Sequence, residues 1–326
     1  MPRFKALTFI LSLATLGATA FGQNANPASP GTLNYIEGQA SIEGRPLSSQ
    51  SVGNITLQAG QVLATANGKA EILLTPGIFL RLGDNSIVEM VSPNLTHTEI
   101  KLEQGRANVE VDQIYPQNTI LIDLKNGQTQ LLKNGLYGFD AGNSTVRVLD
   151  GKASVYPGAN LQANVKPIEV KGGRQLALNG EPLKPQRFNK DEATADPFYK
   201  WSSLRSQYLG EANLNLAEQY AAYPGFYPGW YWAGGPFGYT WLPGDGLFWS
   251  PFGYGFYSPY YIRGGGFIYG GYGRGFYGYR GGYPVGGFHG GAVRAEGAGF
   301  HGGSAGAGFH GGGGGGFHGG GGGGHR

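Results

Sequence analysis

The chain has 326 residues, 62 of them Gly, no Cys, and a formal net charge of +3. That length allows one or two domains, and the lack of Cys excludes disulfides, thiolate metal sites, a Cys nucleophile and a lipid-modified Cys anchor. Arg3 and Lys5 lie in the first 22 residues, so the rest of the chain is near neutral and points to no electrostatic partner such as DNA or an acidic membrane.

Residues 1–22 read as a secretory signal. Arg3 and Lys5 precede an apolar run from Ala6 to Leu16, and small residues then offer cleavage after Ala20 or after Gly22. The run is shorter than the roughly 20 residues of a membrane span, which favours a cleaved leader over an uncleaved anchor. No later segment is long and apolar enough to span, so the expected product is exported, to the periplasm or the cell surface. Residues 23–32 are a polar, Pro-containing linker.

Residues 33–178 carry a β pattern throughout. One phrase occurs three times: Glu37-Gly38-Gln39-Ala40-Ser41-Ile42, Gln104-Gly105-Arg106-Ala107-Asn108-Val109 and Asp150-Gly151-Lys152-Ala153-Ser154-Val155. In each, Gly makes a turn and alternation then starts a strand. Unequal spacing argues for related corners in a β-rich domain and against a solenoid of fixed period. Further strands are expected at Asn54–Leu57, Ala70–Leu74, Ile78–Leu82 and Thr119–Leu124, with turns at Asn67-Gly68, Pro76-Gly77, Asn126-Gly127 and Asn134-Gly135. Roughly twelve to fourteen short strands in two packed layers are expected from this pattern.

Residues 179–195 are a polar connector holding Pro182 and Pro185. Asp196-Pro197 opens a helix expected over 196–222, as an N-cap acid followed by Pro in the first turn. Phe198, Trp201, Leu204, Tyr208 and Leu209 share one face, and Gly210 weakens the helix. That stripe is expected to pack on the β domain, with partner binding as the alternative. Residues 223–283 are rich in Gly, Pro, Tyr, Phe and Trp; residues 284–326 are almost pure Gly around a recurring Gly-Phe-His-Gly-Gly. The last segment has too little apolar content to offset chain entropy and is expected to be disordered.

The order of motifs over about residues 34–178 resembles the FecR-type domain of bacterial signalling and envelope proteins. Gly38-Gln39-Ala40 matches its opening strand, and Gly60-Gln61-Val62-Leu63-Ala64-Thr65 with Gly68-Lys69-Ala70-Glu71-Ile72 its next two segments. Gly105-Arg106-Ala107-Asn108-Val109 matches its Gly-x-Val-x-Val strand, the run Val146–Val155 its closing strand, and Gly173-Arg174-Gln175-Leu176 its end. Two signatures depart: Thr75-Pro76-Gly77 stands for Asp-Gly-Ser, and Gly135-Leu136-Tyr137-Gly138-Phe139 lacks the Thr of Gly-Thr-x-Phe. The resemblance implies a stand-alone envelope form of a sensing domain. It argues against a sigma-factor regulator, because only five residues precede the apolar run. The aromatic segment around Trp241-Leu242-Pro243-Gly244-Asp245-Gly246 is similar to tails on some FecR-domain proteins and brings no chemistry with it.

No catalytic constellation is readable. Glu110 and Asp112 share one strand face, and a solvated face accounts for them more simply than an acid/base pair, which needs a cleft and a partner. His97 is the only His before residue 289 and reads as a surface residue. The Gly-rich runs lack the strand-to-helix context of phosphate loops. Arg263, Arg274 and Arg280 among Tyr and Gly are too few for nucleic-acid binding in an exported chain. His289, His301, His310, His318 and His325 in flexible Gly are candidate metal ligands. Trp230, Trp232, Trp241 and Trp249 are candidate ligand-stacking residues.

The sequence thus predicts an all-β, FecR-like domain followed by one helix and a Gly/aromatic tail. The expected role is non-enzymatic binding or scaffolding in the bacterial envelope, without a cofactor. An envelope protein or polysaccharide is the expected partner, and the tail allows self-association. Periplasmic ligand sensing, or metal binding through the His/Gly tail, is the alternative.

Overall fold

The computed structural model describes residues 27–158, 160–163 and 165–265. The expected leader and the segment with His289, His301, His310, His318 and His325 lie outside the described residues.

The first strands are β1 (Leu33–Ile42), β2 (Arg45–Pro46), β3 (Val62–Thr75), β4 (Ile78–Leu82), β5 (Ile87–Asn94), β6 (His97–Gln104) and β7 (Arg106–Val111). Then come β8 (Thr119–Leu124), β9 (Gly127–Leu131), β10 (Gly135–Asp140), β11 (Thr145–Asp150), β12 (Lys152–Pro157), β13 (Ile168–Lys171), β14 (Arg174–Ala177) and β15 (Gln186–Arg187). All fifteen belong to one sheet of order β13-β12-β9-β8-β6-β5-β3-β4-β7-β10-β11-β14-β15, with β1 along β3 and β2 along β1. Pairing is antiparallel except between β6 and β8. The sheet curls over its own core: Ile72, Leu80, Val88, Ile100, Val109, Ile120, Val146, Val155 and Leu176 belong to one buried cluster. The all-β expectation holds, with one continuous sheet supplying the surfaces that face each other.

The three related corners have a shared cause. Gly38, Gly105 and Gly151 have φ of +71°, +76° and +93°, a region costly for residues with a Cβ. Gly105 turns the chain from β6 into β7, and Gly151 from β11 into β12, strands that do not pair with each other. Gly38 sits at a bulge where β1 meets Gly68 of β3. Asn67-Gly68 is therefore not the expected hairpin; it lies inside β3, where a Cβ on Gly68 would come within 2.5 Å of the Glu37 carbonyl oxygen. Asn54–Leu57 is not a strand either: Thr56 makes only an isolated bridge to Thr32.

The outer face of the sheet explains the rest of the chain. β5 and β6 alternate half-buried and buried residues along their first halves, as a strand with one partly wet face does. β4 is buried on both faces, because α1 (Lys190–Ala195), α2 (Pro197–Ala221) and an aromatic collar are applied to the outside of this region. The collar consists of a hairpin of β16 (Gly229–Trp232) with β17 (Tyr239–Leu242), a hairpin of β18 (Leu247–Trp249) with β19 (Gly255–Tyr257), and α3 (Pro259–Arg263). Leu73 and Phe79 point outward from β3 and β4 and pack against Leu209, Tyr239, Trp241 and Phe256. Residues 223–265, which by composition read as part of a tail following the helix, are thus packed on the outer face of the sheet. Aromatic surface dense enough to avoid water found an apolar patch on the sheet to cover.

Two buried Asn side chains fix the collar. Asn34 of β1 donates to the Tyr239 carbonyl (2.9 Å) and accepts from the Tyr239 N–H (2.6 Å). Asn213 of α2 donates to the Trp241 carbonyl (2.8 Å) and accepts from the Tyr257 N–H (2.7 Å). Each amide satisfies backbone groups that have no strand neighbour at that point. No described helix is long and apolar enough to cross a membrane.

Candidate functional site

The register places one row of residues across the outer face. Glu71 pairs with Arg81, Arg81 with Asn108, Asn108 with Gly138, Gly138 with Arg147, and Arg147 with Gln175. α2 lies over the first half of the row and seals it; the second half opens into a cleft.

The sealed half is an ion cluster. Arg81 Nε donates to Glu71 at 2.7 Å, and its Nη1 donates to Glu110. Arg205 of α2 donates to the other Glu71 oxygen at 2.8 Å, and Asn34 donates there as well at 2.9 Å. The Ser206 hydroxyl donates to Glu110 at 2.6 Å and lies 3.1 Å from the Ser250 hydroxyl. Burial alone would raise the Glu71 carboxyl, but Arg205 and Arg81 hold it below its ordinary value. Asp112 behaves oppositely. Burial first, then the neighbouring Glu110, push it well above the carboxylate range. Neither of its oxygens has a hydrogen-bond partner, so no hydrogen bond offsets the burial that disfavours its charged form. The expected solvated face for Glu110 and Asp112 is corrected, since both are buried. Glu71, Arg81 and Glu110 are fully buried, and the cluster joins helix to sheet.

The helix face that makes these contacts coincides with the expected stripe only in part: Phe198 and Leu209 are buried and Trp201 meets Tyr35 of β1. Leu204 and Tyr208 are 46% and 40% exposed, while Ser202, Arg205, Ser206, Leu209, Gly210 and Asn213 are buried. The apolar stripe located Phe198 and Leu209 but not Ser202, Arg205, Ser206 and Asn213, because the sheet beneath α2 also offers carboxylates and a guanidinium. Asp196 caps α2 by accepting from the Phe198 N–H at 2.7 Å.

The open half is a cleft of about 370 Å³ between β7, β10, β11 and β14 and the α1–α2 junction. Its floor is Gly138, whose φ lies outside the left-handed region. A Cβ there would meet Asn108 Oδ1 at 3.4 Å and Arg147 Cβ at 3.8 Å, so the glycine keeps space open and is not required by the backbone. Phe198 and Tyr199 form the wall. At the mouth, Arg106 pairs with Asp196 at 2.6 Å. Arg147 lies 5.0 Å from the Phe188 ring and donates from Nε to Gln175 at 3.1 Å. Asp140 accepts from the Asn143 N–H at 3.0 Å and from its Nδ2 at 3.2 Å.

The structure separates the four candidate stacking residues. Trp241 is 0% exposed and is core, not a platform. Trp230 meets Phe79 edge-on at 5.0 Å, and Trp232 meets Tyr239 in the same way at 5.0 Å. Trp249 is 48% exposed. His97 lies 3.1 Å from Glu99 at the surface. Among the described residues no three His, Asp or Glu side chains converge as a metal site. Sequence reading missed Arg147, Asp140 and Gly138 as a group; the only signal was a Gly in a strand that the chain's turns do not need.

No family model matches the chain, and no curated protein matches it. Two crystal structures of a Parabacteroides distasonis protein described as an anti-sigma factor, at 2.50 and 1.65 Å resolution, are similar to it. Both share 11% identity with it, with TM-scores of 0.34 and 0.33 over 41% and 40% of this chain. The similarity spans 62% and 61% of those chains.

Proposed function

We propose that this chain is a non-enzymatic, exported binding or scaffold protein of a bacterial cell envelope, built on a FecR-like β domain. The observation that carries this reading is the fate of its charged side chains. The one dense cluster of carboxylates and guanidinium groups among the described residues is sealed and mutually paired, which serves cohesion and not turnover. Solvent meets a shallow polar cleft and scattered aromatic rings such as Trp249 and Tyr227. The charged start, apolar run and small residues of positions 1–22 motivate export.

The test is cell fractionation with crosslinking, followed by retention of the purified protein on peptidoglycan and exopolysaccharide. Envelope location, a processed N-terminus by mass spectrometry and retention on one of these polymers are expected. A cytosolic protein with an intact Met1 overturns the reading. Ligand sensing in the periplasm is a second reading, favoured by the cleft: an occupant there touches both the sheet and the helix junction. Metal binding by the His-containing tail is tested by calorimetry with Zn, Cu and Ni on the parent and on a variant with His289, His301, His310, His318 and His325 changed to Gln.

A further inference from the structure

We infer that the cleft over Gly138 is a binding site for a small zwitterion of the α-amino-acid type, one carboxylate and one ammonium on a common carbon. This deepens the binding reading above and rests on it only for the setting in which the ligand is met.

The argument starts from charge balance. Of the four charged side chains lining the cleft, Arg106 and Asp196 neutralise each other. Arg147 and Asp140 do not. Among the described residues Arg147 has no carboxylate partner and Asp140 has no cationic one; their side-chain bonds go only to the amides of Gln175 and Asn143 and the backbone of Asn143. They do not pair with each other either: they stand on a diagonal of the β10–β11 ladder, where Gly138 faces Arg147 and Asp140 faces Thr145, and Arg147 turns instead to Gln175 and the Phe188 ring while Asp140 turns to Asn143. Diagonal neighbours lie about 7–8 Å apart at the backbone, within reach of a long side chain, so these other contacts keep the two charges apart for a ligand that carries both opposite charges.

Gly138 is the second element. It is the cross-strand partner of Arg147 and lies two residues before Asp140 on the same face, so the missing side chain is the one between the two charges. The third is preorganisation. Gln175 and the Phe188 ring hold the Arg147 guanidinium from Nε and from one face, leaving its Nη edge to make two parallel bonds to a carboxylate. Asn143 holds Asp140 while leaving acceptor capacity for an ammonium. The Phe198–Tyr199 wall is largely apolar and meets the ligand's side chain. A volume of about 370 Å³ is at the lower end for small-molecule sites, about 300–1,000 Å³.

Titration of the purified full chain with alanine, propionate and ethylammonium, followed by calorimetry or NMR shifts, tests this. Alanine is expected to bind at least ten-fold more tightly than either singly charged half. Asp140→Asn, which keeps the bond from the Asn143 N–H but gives up the one from its Nδ2, should bring alanine down to the level of propionate; Arg147→Gln should bring it to the level of ethylammonium. Equal binding of alanine and propionate, binding that survives both substitutions, or no binding of alanine to the parent overturns the assignment. Thermal melting of the variants separates misfolding from loss of contact. Because the assay uses purified protein, a negative result leaves the envelope reading to the fractionation experiment, and a cytosolic location leaves the cleft result standing.

Discussion

At the scale of single residues, two buried acids have opposite surroundings. Glu110 of β7 holds Arg81 and Ser206; Asp112, just beyond β7, has no hydrogen-bond partner, and burial and then Glu110 push its carboxyl well up. Glu110→Gln leaves the buried Arg81 and Arg205 sharing the single carboxylate of Glu71 and should cost about 3–5 kcal/mol in urea unfolding. Asp112→Asn removes a carboxyl whose charged form burial disfavours and whose oxygens have no hydrogen-bond partner, so it should change stability by less than about 1 kcal/mol. Equal losses in the two variants would contradict this difference in surroundings. Asp123 on β8 supplies a pH test. Burial, and then Glu99, raise its carboxyl to about 6 against opposing pulls from Gln128 and Lys101. A raised carboxyl means that the folded state holds the proton more tightly than the unfolded one. Stability therefore falls as pH rises from about 4 to about 6, and the penalty is complete above that window. Asp123→Asn should stabilise the protein at pH 7.5 by about 1 kcal/mol, a figure reduced for partial solvent screening. The gain should vanish at pH 4. A gain of the same size at both pH values would show that the effect is not the titration of Asp123.

At the scale of elements, strands were legible where alternation or a continuous apolar run was strong, as at Ile78–Leu82 and Thr119–Leu124. Asn54–Leu57 and Asn67-Gly68 misled, since a bridge and a bulge use the same residues as a strand and a hairpin. The helix was legible from Asp196-Pro197, its orientation only in part, through Phe198 and Leu209 but not Leu204 and Tyr208. Amphipathic reasoning assumes an apolar floor, and the floor here is Glu71, Arg81 and Glu110. The glycine at position 210, a weak point by propensity, has a packing role that only the tertiary structure reveals. A Cβ there would meet the Gly255 carbonyl oxygen at 3.2 Å and Tyr254 Cβ at 3.3 Å, so the β18–β19 hairpin crosses α2 at this residue. Gly210→Leu should destabilise by about 1–3 kcal/mol through overpacking, with Trp fluorescence of the collar changing at the same denaturant concentration. Leu204→Ala, on the exposed face, should stay within about 0.5 kcal/mol. If the two substitutions behave alike, the buried face of α2 has been assigned wrongly.

At the scale of the whole molecule, the curled sheet is incomplete without α2 and the collar on its outer face. Composition suggested a division at Tyr223, where Gly and aromatic residues take over and aliphatic ones thin out. The division fails for residues 223–265 because composition reports what a segment contains, not what lies opposite it. Leu73 and Phe79, on strands read as ordinary core, supply the opposite surface, and Asn34 and Asn213 supply backbone partners that no local pattern announces. Trp241 and Phe256 are fully buried, and Tyr239 nearly so. Aromatic side chains bury about 150–250 Å² each; at about 25 cal/mol per Å² the three contribute on the order of 10 kcal/mol before conformational entropy is subtracted. That gross term matches the whole net stability of an ordinary domain, about 5–15 kcal/mol. Removing residues 223–326 should therefore give a chain that fails to melt cooperatively and binds hydrophobic dyes, whereas a chain ending at residue 265 should retain the collar and melt within a few degrees of the full protein. Both truncations are compared by circular dichroism and calorimetry. A chain ending at residue 222 that melts like the parent would show that the collar rests on the sheet without supporting it, and the sealed Glu71–Arg81–Glu110 cluster would then have to be stable with part of its cover gone.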